Sequence, residues 1–298
     1  MPVIVSVECV AFNHGKYIRK CLESIVSQKT TFQFEVVVHD DASTDDTAEV
    51  IKEFAEKYPE IIVPILEEEN QYSKRDGTIE KIINEKLRGK YTAFCECDDY
   101  WTDEYKLQKQ VDFLESHQEF SACAHQSEII GDATGLFRND VPSVITMQDL
   151  VINSRFFHTA SMMWRTEIRT SLPIMTQPIV SGDKLMCLQL ATYGPIFYMP
   201  DVMCVYRKHG TGMSNVVSIN NLKSDRNIIE YMRKISSDFP KYRYLSFLYG
   251  TFATYAKDVS IARKIWYLIV AFILSFSYFP KNIQDLYNKV KRVSASRK

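Results

Sequence analysis

The chain has 298 residues, of which 46% are hydrophobic and 24% are charged, and its formal net charge is −1. This composition excludes a disordered chain, and the near-neutral total gives no sign of nucleic-acid binding. The charge is uneven: residues 259–298 hold eight Lys or Arg and one acid, a sum of +7, so residues 1–258 carry −8. We expect an acidic body and a basic tail that meets an anionic partner.

Apolar runs and helical spacing alternate along the first part of the chain. β-Branched apolar runs predict buried strands at 3–10, 34–38, 61–66 and 91–97. Helical spacing of apolar residues predicts helices at 16–28, 47–58, 79–86 and 106–117. This alternation predicts an α/β fold, with a mostly parallel sheet wound by helices through right-handed crossovers.

Beyond about residue 121 the pattern is mixed. It predicts strands at 158–165, 196–199 and 202–207, and helices at 183–193, 219–239 and 244–257. Residues 265–280 are 16 residues without a charge, fewer than the ~20 that a spanning helix needs. The segment could be a core helix, an interfacial helix or a contact for a membrane partner. Its Trp and Tyr residues and basic flanks favour the interface.

Cysteine usage and the first residues bear on the compartment. The cysteines number seven, an odd count, and most lie in apolar runs. We interpret them as reduced and buried in a cytosolic protein. Cys95-Glu96-Cys97 has no partner pair at ligand spacing and is not a zinc pattern. No basic stretch followed by an apolar one opens the sequence, so we expect no secretory signal.

Two pairs of adjacent acids follow predicted strands: Asp40-Asp41 after the second and Asp98-Asp99 after the fourth. Adjacent carboxylates repel each other, and they become favourable when a divalent cation lies between them and a phosphate. The alternative is that one pair caps a helix and the other lies in a solvated turn. Two pairs, each at a strand end where parallel sheets bind ligands, favour a nucleotide and metal site.

The chemistry of these side chains suggests roles. Asp41 can accept hydrogen bonds from a base or ribose. Asp98 and Asp99 are hard oxygen ligands suited to Mg²⁺ or Mn²⁺, which would stabilise a diphosphate leaving group.

Three later residues complete the set. Asp183 follows Gly182 at a predicted helix start, and it is either a helix cap or a general base. Arg207 and His209 could hold a phosphate or a metal, although a lone His is more often structural.

These motifs resemble nucleotide-sugar glycosyltransferases of family 2. The matching segments are 5–14, 38–45, 96–101, 106–114, 182–183 and 206–209. The resemblance is specific across residues 3–120 and weaker to about 215. It implies a GT-A-like catalytic and nucleotide-sugar-binding domain at 1–215. The rest, 216–298, would be a helical C-terminal region with the apolar segment 265–280 and the basic tail.

The resemblance also implies roles residue by residue. Val10 and Phe12 flank the base, Asp41 reads uracil or ribose, Asp98 is the donor-side acid, Asp99 is the metal ligand, Asp183 is the catalytic base, and His209 assists the metal or diphosphate. Arg207 and Trp101 are further contacts for the diphosphate or the acceptor. Family members often have Tyr where Phe12 stands and Glu where Gly182 stands.

The implied activity is an inverting transfer of one sugar. The donor would be a nucleotide-diphospho-sugar, a UDP-sugar, with Mn²⁺ or Mg²⁺ as cofactor. The acceptor would be a hydroxyl of a glycan or lipid-linked molecule in bacterial surface polysaccharide synthesis, at the cytoplasmic face of the membrane. The Gln-x-x-Arg-Trp motif of processive synthases is absent, which favours transfer of a single sugar.

Two other classes stay open. A nucleotidyltransferase shares such a sheet and its metal acids, but residues 11–15 are not the Gly-rich phosphate loop that it would normally show. A non-catalytic nucleotide-sugar binder would be favoured by loss of the acids or of the base, and both are present.

Overall fold

The computed structural model describes residues 2–210, 218–256 and 258–276. The chain divides into two compact units. The first comprises Met1–Thr146, Arg155–Thr176 and Gln189–Gly210, and the second comprises Met147–Ser154, Gln177–Leu188 and Thr211–Lys298. The predicted division into 1–215 and 216–298 stays a prediction, because two earlier segments join the C-terminal part in the second unit.

The first unit is built on a sheet that has ten strands within the described residues. They are β1 (Val3–Ala11), β2 (Gln33–Asp40), β3 (Ile62–Leu66), β4 (Tyr91–Glu96), β5 (Tyr100–Trp101), β6 (Ala122–Gly131), β7 (Gly135–Leu136), β8 (Val144–Ile145), β9 (Met163–Arg165) and β10 (Ile196–Lys208). The order is β3-β2-β1-β4-β9-β6-β10-β5, with β7 beside β6 and β8 beside β10.

The long strand pairs of this sheet are parallel. β1 is parallel to β2 and β4, β2 to β3, and β6 to β10. The short strands β5, β7, β8 and β9 are antiparallel to their neighbours. The predicted α/β class with a mostly parallel sheet is therefore confirmed.

Helices cover this sheet with apolar faces. The first unit contains α1 (Gly15–Val26), α2 (Thr47–Lys57), α3 (Thr78–Asn84), α4 (Lys106–Ser116) and α6 (Thr166–Ser171). α1 buries Ile18, Cys21, Leu22 and Ile25, which share one face at helical spacing. They belong to the core cluster that includes the buried residues of β1. All seven cysteines are buried and free.

The second unit is helical. It contains α5 (Met147–Ile152), α7 (Gly182–Leu190, which belongs to this unit up to Leu188), α8 (Ile219–Ser224), α9 (Asn227–Ile235), α10 (Lys241–Tyr255) and α11 (Ile261–Ser275). The predicted apolar segment 265–280 falls on α11 up to residue 276, and the rest lies outside the described residues.

Four predicted elements differ from the structure. The strand at 158–165 is shortened to β9, because the Ser161 hydroxyl bonds the His158 carbonyl and closes a 3₁₀ turn at Thr159–Ser161. The two strands at 196–199 and 202–207 are one strand, β10, with a register shift after Met199. The helix at 219–239 is two helices, separated where the Asp225 carboxylate turns to bond residues 180 and 181.

Gly89, just before β4, packs closely against the backbone of β1, and a substitution there can test this packing. A Cβ on Gly89 would lie 2.4 Å from the Ser6 backbone nitrogen and 2.7 Å from the Val5 carbonyl carbon, so the β1 backbone would have to move. We expect Gly89→Ala to lower the free energy of unfolding by about 3 kcal/mol in a urea titration. Gly182→Ala is the control, because no atom lies within 4 Å of its Cβ position. Equal unfolding midpoints for the two variants would contradict this.

Candidate active site

The carboxyl ends of β1, β2 and β4 meet at one edge of the sheet. In the parallel register Ala11 pairs with Asp40, and Val10 pairs with Glu96. Asp41 donates its backbone N–H to the Ala11 carbonyl at 3.0 Å. Both predicted acid pairs therefore lie at the same edge, where parallel sheets bind their ligands.

Asp98 contacts the end of β10. The Asp98 Oδ2 lies 3.1 Å from His209 Nε2 and 3.9 Å from His14 Nε2, and its side chain is 19% exposed. The Arg207 guanidinium donates to the Asp98 carbonyl at 2.7 Å. Burial lowers the pKa of His14, although the Asp98 carboxylate opposes this. A carboxylate oxygen and an imidazole nitrogen this close could both ligate one divalent cation, and the carboxylate is the ligand type that Mn²⁺ and Mg²⁺ prefer.

Aromatic rings support these two basic residues. The His209 ring stacks on Tyr17 with centroids 4.9 Å apart. The Arg207 guanidinium lies 4.5 Å from the centre of the Tyr100 ring. Stacking fixes the two groups without using all of their hydrogen-bond donors. Arg207 and His209 thus lie beside Asp98, and the roles predicted for them stay predictions. Tyr17, which stacks on His209, and His14, which lies near Asp98, were not among the predicted site residues.

Asp99 faces the protein interior. Its side chain is 2% exposed, one oxygen accepts the Arg207 backbone N–H at 2.7 Å, and the other lies 3.4 Å from His158 Nε2. Burial raises the pKa of Asp99 well above its usual range, and repulsion from Glu96 and Asp98 adds to this. A metal-ligand role for Asp99 stays a prediction. The geometry favours Asp98, which is more exposed, as the partner of His209.

Asp99 of the acid pair belongs to a largely buried group of three titratable side chains. One oxygen each from Glu96 and Asp99 and a ring nitrogen of His158 lie within 4.8 Å of one another. The Thr159 hydroxyl donates to one Glu96 oxygen, and the other has no partner among the described residues. Burial raises the pKa of Glu96 to about 7 and lowers that of His158. Nothing in the sequence signalled His158, because a single His at the start of a predicted strand shows no ligand spacing pattern.

Asp41 organises a loop of the site. One oxygen accepts the Gln71 N–H at 2.6 Å, and the other accepts Asn70 Nδ2 at 2.8 Å and the Tyr72 N–H at 3.0 Å. A carboxylate has about four lone-pair positions, so about one remains for a base or ribose. The role of Asp41 in nucleotide binding stays a prediction. The loop that it holds is part of residues 67–77, which we expect to shape donor selectivity.

The predicted apolar and aromatic contact residues differ from one another in their exposure to solvent. Phe12 is 47% exposed, so its ring can meet a base, and Val10 is partly buried. Trp101 is 3% exposed and donates its indole N–H to the Ala160 carbonyl at 2.9 Å. The Lys106 ammonium lies 3.9 Å from the centre of the Trp101 ring. Trp101 therefore has little surface left for a substrate, and its predicted contact with the diphosphate or acceptor stays a prediction.

Two loops of the site hold residues in the left-handed backbone region. Asn13 has φ 55° and Ala42 has φ 60°. The Asn13 N–H donates to the Ser43 hydroxyl and its side-chain oxygen accepts the Thr44 N–H, both at 2.8 Å. Such strain persists where surrounding bonds fix it, and it is concentrated at functional sites. Asn tolerates this region, whereas nothing in the sequence signals it at Ala42.

Asp183 belongs to the second unit and lies in the first turn of α7, where its carboxylate accepts the Lys184 N–H at 2.7 Å. The Lys184 ammonium donates to the carbonyls of Leu150 and Asn153 at the end of α5. Asp225 accepts the Val180 N–H at 2.8 Å. Two buried charges thus hold the segment that carries Asp183. Its role as a base, rather than a stabiliser of the helix start, stays a prediction.

Comparison with known proteins now adds the family. The sequence model described as glycosyl transferase family 2 matches residues 6–170, so this chain belongs to that family. The fold agrees: the fragment 1–349 of S. aureus TarS, solved with UDP-GlcNAc, superimposes with a TM-score of 0.64 over 95% of this chain and 84% of that fragment, at 19% identity. The mostly parallel sheet wound by helices is the GT-A fold.

Two curated relatives are similar in sequence. An uncharacterised protein of Mycobacterium tuberculosis is 34% identical over 214 residues, which are 70% of this chain and 60% of that protein. WfaP of Escherichia coli, named a UDP-Glc:α-D-GlcNAc-diphosphoundecaprenol β-1,3-glucosyltransferase, is 32% identical over 117 residues, 39% of this chain and 43% of WfaP. The chain thus spans less than two thirds of the length of either relative.

The pKa of Glu96 predicts a pH-dependent stability. Its folded value of about 7 exceeds the ordinary 4.5, so the folded chain binds more protons between these values. The metal-free protein should lose stability as pH rises from about 4.5 to about 7. Glu96→Gln should reduce this loss, by at most about 3 kcal/mol. Urea titrations in EDTA check it, with the exposed Glu60→Gln as control. An unchanged pH slope in Glu96→Gln would contradict the assignment.

Proposed function

We propose that this protein transfers one sugar from a UDP-sugar to a hydroxyl of a lipid-linked glycan, with inversion, in bacterial surface polysaccharide synthesis. The observation that carries the proposal is the pair of Asp98 and His209, 3.1 Å apart at the carboxyl edge of a family 2 sheet, with Arg207 beside it. Such a group of side chains suits a nucleotide diphosphate and its metal ion.

The side chains divide the work between binding and proton transfer. Phe12 would stack on the base and Asp41 would accept a hydrogen bond from it. Asp98 and His209 would hold Mn²⁺ or Mg²⁺, which when bound neutralises the charge of the departing diphosphate. The Arg207 cation adds to this neutralisation. Asp183 would take the proton of the acceptor hydroxyl while the hydroxyl oxygen attacks the anomeric carbon of the donor sugar and UDP departs. A single displacement of this kind inverts the anomeric centre and needs no covalent nucleophile.

The relatives support the choice of donor and acceptor. WfaP is named for a UDP-glucose donor and a diphosphoundecaprenol-linked acceptor, and TarS was solved with UDP-GlcNAc. We therefore propose a UDP-linked hexose or hexosamine as donor and a lipid-linked glycan as acceptor. Such an acceptor places the reaction at a membrane surface, on the cytoplasmic side where nucleotide sugars are made. Within the described residues no helix is long and apolar enough to span a bilayer.

The products distinguish the open alternatives. A transferase releases UDP from the donor, a nucleotidyltransferase releases pyrophosphate, and a binder gives ligand-induced stabilisation without turnover. At a ligand concentration 100 times the dissociation constant, binding would add about 2.7 kcal/mol. A panel of nucleotide sugars read first by thermal stabilisation and then by UDP release would identify the donor and test the class.

Variants of Asp98, His209 and Asp99 can test which side chains bind the metal ion. We expect Asp98→Asn and His209→Gln each to weaken Mn²⁺ binding in the presence of UDP by at least about 10-fold, because each removes one donor atom. Calorimetric titration with Mn²⁺ measures this. Asp99→Asn serves as the comparison: if Asp99 is the ligand, this variant will lose Mn²⁺ binding and Asp98→Asn will keep it. Full activity of the wild type in excess EDTA would contradict metal dependence.

The base can be tested in the second unit. Asp183→Asn should lower kcat by 10²- to 10⁴-fold, the usual loss for a general base, while the dissociation constant for UDP stays unchanged. Asp238→Asn is the matched control, because its carboxylate is exposed and bonds the Ser236 hydroxyl in a turn of the same unit. Near-normal turnover in Asp183→Asn would leave this residue as a stabiliser of the α7 start.

A further inference from the structure

α11 presents a large apolar face to solvent. Seven of its large apolar side chains and that of its C-cap residue are 41–77% exposed: Ile261, Ile265, Trp266, Leu268, Ile269, Phe272, Ile273 and the C-cap Phe276. Only Tyr267 and Ala271 are buried among the residues of this helix. Scattered apolar residues are normal on a surface, whereas a contiguous face of this kind marks an interaction site.

The exposed residues form one continuous stripe. At about 100° per residue they fall within an arc of about 160°, and the buried Tyr267 and Ala271 lie on the opposite side. Arg263 and Lys264 lie just beyond the two edges of the stripe, roughly 40–60° away. Basic side chains that flank an apolar stripe can extend to lipid headgroups while the stripe enters the acyl region.

We propose that the exposed face of α11 docks on an anionic lipid bilayer and holds the second unit at a fixed distance from it. Charge complementarity supports lipid over a protein partner, because residues 259–298 carry +7 and each Lys or Arg near an anionic surface attracts it. Trp266, 59% exposed, is a residue type that favours the headgroup level.

The same unit carries the proposed base, so docking would set the height of the reaction. Ser246 of α10 donates to the Ala271 carbonyl of α11 at 2.8 Å. Phe247, which lies on another side of α10, receives the Lys184 ammonium 4.4 Å from its ring centre. α10 thus contacts both α11 and the Lys184 side chain that anchors the segment carrying Asp183. Resting on the proposed function, this connection means that docking of α11 would also position the base relative to the lipid surface, which suits a lipid-linked acceptor.

Trp266 is a built-in reporter for the test. The chain has three tryptophans, and Trp101 and Trp164 are 3% and 1% exposed. The full chain would be mixed with vesicles of equal parts phosphatidylcholine and phosphatidylglycerol, with and without brominated acyl chains. We expect a blue shift of the emission, quenching by the brominated lipid, and loss of both signals in Trp266→Phe.

Matched variants separate the surface from the rest of the protein. Ile269→Glu/Ile273→Glu should lower vesicle partitioning at least about 100-fold, because two charges would enter the acyl region. Leu136→Glu is the control, since Leu136 is 49% exposed on a hairpin of the first unit. Its partitioning should match the wild type. UDP release without lipid should persist in the double variant, so a failed transferase and a failed docking surface give different results.

Three outcomes would overturn the proposal. The protein could leave the vesicles unbound and the Trp266 emission unchanged. It could bind vesicles while Trp266 stays unquenched by brominated lipid. It could instead self-associate in analytical ultracentrifugation, with Ile269→Glu/Ile273→Glu restoring the monomer, which would make a second copy the partner of α11.

Discussion

Burial of carboxylates that also repel one another at one sheet edge is the constraint on which the candidate site depends. Parallel pairing of β1 with β2 and β4 makes their carboxyl ends coincide, and Glu96, Asp98 and Asp99 lie together because they follow one another at the end of β4. Burial of a carboxylate without a counter-charge costs several kcal/mol, and the group then keeps its proton instead. The raised pKa values of Glu96 and Asp99 are this response. The edge is arranged for a positive charge.

Neighbouring residues supply part of the positive charge and hydrogen-bond donors that the acids need. The buried Asp99 and the more exposed Asp98 have different partners. Asp99 gains a backbone N–H from Arg207 and stands against a His158 whose own pKa is lowered by burial. Asp98 keeps water access and meets His209, Arg207 and the partly buried His14. Asp99 thus bonds the backbone of β10, and the more exposed Asp98 is the acid that we propose as a ligand for a cation. A metal ion there would lower the pKa of both carboxyls and release protons on binding.

Much of this arrangement follows from sequence pattern, and the remainder has a physical reason. Strand and helix alternation over residues 3–117 was readable because buried parallel strands are continuous apolar runs and their crossovers are amphipathic. The order of acids along the chain then placed Asp41 and Asp98 at one edge. The assignment of roles within Asp98-Asp99 could not be read, because adjacent residues on a turn point to opposite sides and only the three-dimensional partners decide which is buried.

Other parts of the site lacked any local signal. The resemblance implied that Trp101 contacts the diphosphate or the acceptor. In the structure its ring packs on the buried Lys106 ammonium and its indole N–H donates to the Ala160 carbonyl, so the side chain lies in the core. The break between α8 and α9 depends on Asp225, whose carboxylate bonds residues 44 and 45 positions earlier in the chain. Short strands such as β5 and β7 contain two residues each, too few to show a period.

The second unit shows how buried charge can set the position of one functional segment. Lys184 places its ammonium on carbonyls at the end of α5 and over the Phe247 ring, and Asp225 collects three donors from Val180 and Ser181. Each charge is buried and has at least two hydrogen-bond partners, so moving either would leave an unpaired group inside the protein, which is costly. The residue between these two anchors, Asp183, therefore has little freedom beyond its own rotamer. Such support suits a group that must remove a proton at one geometry, which is the role that we propose for Asp183.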